Sequence, residues 1–135
     1  MSQIRWPAVL LGFIVAALLG MLLGRAASAL AGVENPGELA MLEFVALLVG
    51  GYLAGRLGGQ VGVMQGVAVA VLFILVAASY KAWVEISLVS RFGPQVLGPM
   101  DMGGLILGDL IHLSGACLGG WLADIQRPGV ARPGV

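Results

Sequence analysis

Four long apolar stretches constrain the fold of this chain more than any other feature of its sequence. A helix that crosses a hydrocarbon core of ~30 Å needs about 20 residues, and each stretch meets that length. They predict helices over about 7–31, 37–56, 61–83 and 99–123. The sequence therefore predicts an all-α integral membrane protein, with four transmembrane helices in one bundle that occupies residues 1–135 as a single domain.

The composition argues against a soluble globule, because 59% of the residues are hydrophobic and only 10% are charged. Soluble domains carry about a quarter charged residues, which keep their surface in water. The formal net charge is zero and no basic stripe occurs, so nucleic acid is not an expected partner. The single cysteine, Cys117, lies in an apolar stretch and is interpreted as a small apolar filler.

Turn-forming residues define the connections between these stretches. Residues 35–37 read Asn-Pro-Gly, and residues 58–60 read Gly-Gly-Gln, which is short enough to predict a tight antiparallel hairpin. The longest connection, predicted as a loop over 84–98, is compatible with a helix extension, an interfacial segment or an extended piece. Asp101 is expected in the first turn of the fourth helix, and 126–135 is expected to be a non-helical tail.

An even number of spans predicts that both termini lie on one side of the membrane. That side carries Arg5, Arg56, Arg127 and Arg132, against Arg25, Lys81 and Arg91 on the other. The small excess of basic residues predicts cytoplasmic termini. Aromatic residues near the ends of the spans are expected to anchor the bundle at the lipid–water interface: Trp6, Tyr52, Tyr80, Trp83 and Trp121.

A short internal repeat links the second and fourth stretches. Residues 50–55 read Gly-Gly-Tyr-Leu-Ala-Gly, and residues 119–124 read Gly-Gly-Trp-Leu-Ala-Asp. Superposing them places Glu43 opposite His112. The match favours two parallel-repeat helical hairpins related by a pseudo-twofold axis along the membrane normal. Chance recurrence of small residues at helix ends is the alternative.

The chain contains 22 glycines, many of them four residues apart, as in a glycine zipper. Residues at this spacing lie along one helix face, and small residues let helix backbones approach closely in lipid. The predicted helix-packing glycines are Gly20, Gly24, Gly51, Gly55, Gly59, Gly62, Gly66, Gly104, Gly108, Gly115 and Gly119. They are interpreted either as internal packing positions or, because their small-residue faces exceed what four helices can bury among themselves, as partly external contact surfaces.

Four ionisable residues lie at depth within the predicted spans, away from the span ends, and they form the candidate polar cluster: Arg25, Glu43, Asp109 and His112. Charged groups facing lipid cost several kcal/mol, so these side chains are expected to face one another, with an Arg25–Glu43 ion pair. Three roles stay open: a structural cluster, a proton or ion relay, and tetrapyrrole ligation by His112 beside the small Gly108. No metal-ligand spacing, nucleophile motif or phosphate loop occurs, so an enzyme is not expected.

The run of residues 50–59 reads Gly-Gly-Tyr-Leu-Ala-Gly-Arg-Leu-Gly-Gly and is followed by Gly62 and Gly66. It resembles small uncharacterised four-span bacterial membrane proteins that carry a Gly-Gly-aromatic-x-Ala-Gly-Arg segment before a glycine-rich third helix. The resemblance covers about 20 residues well and implies the four-span architecture, in a bacterial cytoplasmic (inner) membrane. It implies no activity.

The leading functional hypothesis is a non-catalytic structural or assembly subunit of a larger membrane complex. Its partners would be the lipid bilayer and other membrane subunits or further copies of itself, and no cofactor is expected. The first alternative is a small oligomeric proton- or ion-conducting protein that uses Glu43, Asp109 and His112. The second is a tetrapyrrole-binding membrane subunit with His112 as the ligand.

Overall fold

The computed structural model describes residues 4–32, 35–59, 61–99 and 102–127, and these form four α-helices. The helices are α1 (Trp6–Ala31), α2 (Pro36–Gly58), α3 (Gly62–Phe92) and α4 (Met102–Ile125), with one 3₁₀ turn at Pro94–Val96. All four are long and apolar enough to cross a membrane. The predicted all-α class and the architecture of a multi-pass membrane protein are therefore confirmed.

The first two connections follow the predicted turn chemistry. Gly32 ends α1 in the left-handed region at φ 62°, where its N–H donates to the carbonyl of Ala27. Asn35 caps α2, since its side chain accepts a hydrogen bond of 3.0 Å from the Gly37 N–H. Gly59 occupies the turn between α2 and α3 at φ 91°, a conformation that residues with a Cβ rarely adopt.

The third helix is longer than predicted, and most of the predicted 84–98 loop belongs to it. The chain stays helical to Phe92, because no glycine or proline follows Gly66 before Gly93 and Pro94. The weak alternation of apolar residues after Trp83 concealed this helix extension. At 1.5 Å per residue the 31-residue helix is about 46 Å long, well beyond a ~30 Å hydrocarbon core. Asp101 and the tail after Arg127 lie outside the described residues.

The four helices are not packed equivalently. Helices α2 and α3 form the central pair, and each contacts the other three helices. Helices α1 and α4 flank this pair and make no contact with each other in the described part of the chain.

Burial divides the bundle into two halves. The packed half lies next to the α2–α3 turn and contains the whole core: Val9, Ala16, Leu47, Ala54, Val69, Ala70 and Ala116. The open half consists of residues 21–31, 36–42, 74–92 and 102–111, and no described side chain in it is fully buried. The helices therefore pack closely at one end of the bundle and diverge at the other.

Glycines account for the close approach in the packed half. A Cβ at Gly119 would lie 2.7 Å from the backbone nitrogen of Tyr52, and one at Gly115 would lie 2.8 Å from the carbonyl oxygen of Phe44. Each would therefore collide with the backbone of α2. The predicted glycines Gly51, Gly55, Gly62 and Gly66 face similar obstacles, as do the unpredicted Gly12, Gly50 and Gly120, whereas a Cβ at Gly58 would first meet the side chain of Gln65.

The remaining predicted glycines do not pack in this way. Around Gly24 and Gly108 an added Cβ would meet nothing within 4 Å, and at Gly20 it would be 3.7 Å from the Cβ of Ala46. Gly59 is a turn residue, and Gly104 is exposed in the open half. Six of the eleven predicted glycines therefore serve internal packing. Fewer glycines are left for external contacts than the sequence alone indicated.

Candidate functional site

An intramembrane glutamate–histidine pair lies where the packed half meets the open half. The Glu43 carboxylate on α2 and His112 Nε2 on α4 are 2.7 Å apart. The His112 side chain is 13% exposed, whereas that of Glu43 is 43% exposed. The pair joins two helices that run in the same direction, and it fixes their relative register.

Aromatic rings link this pair to the other two helices. The ring of Phe73 on α3 meets the His112 ring edge to face, with centroids 5.3 Å apart. Phe13 on α1 packs against Phe73 in the same manner at 6.4 Å. A series of ring contacts thus connects His112 through Phe73 to α1. His112 Nδ1 is buried there without a hydrogen-bond partner among the described residues.

The other two members of the predicted cluster do not join this pair. Arg25 and Asp109 are both exposed, and the described residues give neither of them an ion pair. The predicted Arg25–Glu43 ion pair is absent, because Glu43 turns toward α4 and Arg25 lies off the face of α1 that contacts the bundle. Asp109 does share a face with His112, three residues earlier on α4, but the helices have already diverged at that level.

The surroundings of the pair limit its chemistry. The core of the packed half is apolar except for Gln65, the one buried polar side chain among the described residues. Among the described residues, no continuous polar path therefore leads from Glu43 and His112 through the packed half. No group of three metal-ligating residues occurs in the described part of the chain.

Tetrapyrrole ligation fits this geometry poorly. Gly108 does leave open space one turn before His112, as the spacing predicted. The imidazole itself is engaged, because Nε2 faces the Glu43 carboxylate and Phe73 packs against the ring. Binding a ring at His112 would require breaking the contact between α2 and α4.

A second polar site fastens the α2–α3 turn to the end of α4. The Asp124 carboxylate accepts hydrogen bonds from the N–H groups of Gly62 at 2.8 Å and Val63 at 3.3 Å. It caps α3, whose own N-cap residue, Val61, has no side chain able to do so. A carboxylate at a helix N-terminus is also stabilised by the helix dipole.

Arg127 performs the complementary role at the end of α2. Its guanidinium donates hydrogen bonds to the carbonyls of Gly59, at 2.6 Å, and Gly55, and it lies 3.4 Å from the Asp124 carboxylate. A cation at a helix C-terminus is favourable for the same electrostatic reason. We call Asp124 and Arg127 the turn clamp. Sequence reasoning missed it, although an Asp and an Arg three residues apart, level with a glycine turn, were the available signal.

The predicted aromatic anchors are mostly exposed. Trp6, Tyr80, Trp83 and Trp121 are between 51% and 67% exposed, whereas Tyr52 is half-buried. Tyr52 donates a hydrogen bond of 2.6 Å to Gln126, close to the turn clamp. Their position at the lipid–water interface stays a prediction.

The contacts between helices agree with the predicted internal repeat in one respect and depart from it in another. Glu43 and His112, the equivalent positions in the repeat, face each other, as a twofold axis between α2 and α4 would require. The outer helices depart from that symmetry, because α3 contacts α2 while α1 does not reach α4 in the described residues.

Comparisons of the chain with protein-family models, with curated proteins and with solved structures give no match.

Proposed function

We propose that this chain is a non-catalytic assembly subunit of a membrane protein complex, in a bacterial inner membrane with its termini on the cytoplasmic side. The observation that carries the proposal is the division into a packed half and an open half. A bundle that needed no partner would be more stable if its helices packed against one another along their whole length. Here the helices diverge for about half of their length, which leaves helix faces available to another protein.

The exposed groups in the open half support this role. Large apolar side chains are more than half exposed on all four diverging helices, including Leu22, Ile106 and Leu107. Gly24 and Gly108 leave open space beside the backbone, and small residues are the usual contact points between helices in lipid. The clamped and glycine-packed other half supplies a rigid support for these faces.

The proposal is tested by comparing two matched triple variants after gentle solubilisation. Leu22→Ala, Ile106→Ala and Leu107→Ala remove exposed side chains from the open half. Leu10→Ala, Leu11→Ala and Leu57→Ala remove exposed side chains of similar size from the packed half.

The wild type and the packed-half variant should migrate as a complex in native mass measurements, and the open-half variant should lose its partner. A wild-type chain that is a clean monomer in every mild detergent would refute the proposal.

A proton- or ion-handling role is the second candidate, favoured by the Glu43–His112 contact of 2.7 Å and by the other imidazole nitrogen, which has no partner among the described residues. Carboxylates and histidine within a membrane are the usual components of proton relays. The apolar core of the packed half means that conduction would require an interface between several copies.

Reconstituted liposomes test this second role. The wild type would dissipate a pH gradient, and Glu43→Gln or Asp109→Asn would abolish the leak. A native protein that leaves the gradient intact excludes it.

A further inference from the structure

Two opposite charges in the open half have no partner among the described residues. Arg25 on α1 and Asp109 on α4 are both exposed, and neither takes part in an ion pair or hydrogen bond in the described part of the chain. An ionisable side chain within a membrane-spanning helix costs free energy unless it pairs or reaches water. The two residues therefore call for a partner of opposite charge.

Contacts within the bundle place the two charges at the same depth. Gly20 of α1 lies level with Ala46 of α2, since an added Cβ would touch the Cβ of that alanine. Continuing along the antiparallel helices puts Arg25 level with Met41. The contact of Glu43 with His112 gives the register of α2 against α4 and puts Met41 level with Leu110, one residue from Asp109. The offset between the charges is about 1.5 Å.

The charges cannot meet within one chain while this bundle persists. Helices α1 and α4 flank the central pair and make no contact with each other among the described residues. Arg25 also lies off the face of α1, marked by Gly12 and Ala16, that packs against the bundle. Its guanidinium therefore extends away from its own chain.

We infer that the open half binds a second copy of this chain, and that Arg25 of one copy pairs with Asp109 of the other. This rests on the proposed assembly function and names its partner. Two copies inserted in the same direction carry both charges at the same depth, so the pairing needs no vertical shift. In a twofold dimer with its axis along the membrane normal, each pair occurs twice. Gly24 and Gly108, directly next to the charges in sequence, leave room for a neighbouring helix.

The test uses two neutral variants of the full-length chain, each carrying its own fluorescent label, in liposomes of fixed lipid composition. Arg25→Gln and Asp109→Asn remove one charge each, so neither variant can form a pair with itself. A mixed dimer of the two variants retains one Arg25–Asp109 pair. Energy transfer is measured for the wild type, for each variant alone and for the mixture. Lys81→Gln, an exposed charge on α3, is the matched control.

The wild type and the control should self-associate equally, and each neutral variant should associate roughly tenfold or more weakly, because two interhelical contacts are lost. The mixture should associate more strongly than either variant alone. This recovery cannot arise from a folding defect in either variant.

Equal association of the mixture and the separate variants would overturn the pairing. A wild type that does not self-associate but co-purifies with another protein would overturn the second copy as partner and leave the assembly function standing. A wild type that does neither would refute both. Retained self-association in both variants would show that Arg25 only reaches lipid headgroups and Asp109 only reaches water, and would also overturn the inference.

Discussion

Gly119→Ala in α4 is the sharpest perturbation of the packed half. The added methyl would lie 2.7 Å from the backbone nitrogen of Tyr52 and 2.9 Å from the carbonyl carbon of Leu48, both in α2. The carbonyl oxygen of Leu48 lies closer still, and because ordinary contacts of a Cβ begin at about 3.4 Å, α2 and α4 must separate by more than about 0.7 Å. Backbone atoms cannot rotate away as the end of a side chain can, and the whole helix must move.

The magnitude follows from two opposing effects. Overpacking a close interface costs about 1–3 kcal/mol, and the upper part of that range applies because backbone opposes the methyl. Alanine stabilises a helix relative to glycine by up to about 1 kcal/mol. We therefore expect Gly119→Ala to lower the free energy of unfolding by about 1–2 kcal/mol.

Gly108→Ala is the matched control on the same helix. Nothing lies within 4 Å of its added methyl, so only the helix-propensity effect applies and the free energy of unfolding should rise by up to about 1 kcal/mol. Because that effect is common to both variants, the difference between them isolates the contact with α2 at about 2–3 kcal/mol.

Unfolding can be followed with a thiol-reactive dye at Cys117, the single cysteine of the chain, which is half-buried on α4. The measurement is made in a detergent that keeps the protein monomeric, against increasing denaturing detergent. If Gly119→Ala is as stable as Gly108→Ala, then α2 and α4 do not approach as closely as described, and the explanation of the packed half by glycine contacts fails.

The polar sites give three further predictions, each read out by the same unfolding measurement in monomeric detergent. Asp124→Asn should lower the free energy of unfolding by about 1–2 kcal/mol, because the α3 cap loses its charge; the exposed Asp109→Asn should change it little, and equal effects would contradict the cap. Arg127→Gln should lower it by about 1 kcal/mol, because the carbonyls at the end of α2 lose their hydrogen-bond donor; a variant as stable as the wild type would refute the turn clamp. Glu43→Ala should cost about 1–2 kcal/mol, since it leaves His112 without a partner at the helix interface, whereas Glu43→Gln keeps a hydrogen bond and should cost less; the reverse order would show that the pair does not join α2 to α4.

The architecture could be predicted from the sequence because hydropathy and turn chemistry are local properties. Each span has enough consecutive apolar residues, and the glycines at 32 and 59 end α1 and link α2 to α3 in backbone conformations that favour glycine. The end of α3 was misplaced because nothing between Trp83 and Phe92 breaks a helix, while weak alternation resembled a loop. Local patterns do not report how far a helix continues beyond the bundle.

The candidate site was only half predictable, because pairing depends on register and on side-chain direction. The depth argument correctly placed Glu43 and His112 near one level, but it paired Glu43 with Arg25 along the first hairpin instead of with His112 across the bundle. The turn clamp joins residues more than 60 positions apart, so no short sequence window contains it. The glycines were found by their spacing, but whether each faces a helix or lipid is a tertiary property.

Site-specific photo-cross-linking in the native membrane tests the central claim most directly. A photoreactive residue replaces Leu107 in the open half, which is 60% exposed, or Leu10 in the packed half, which is 48% exposed. We predict protein cross-links from position 107 and lipid cross-links alone from position 10. Lipid cross-links alone from both positions would show that the open half faces only the bilayer, and would contradict an assembly role for this surface.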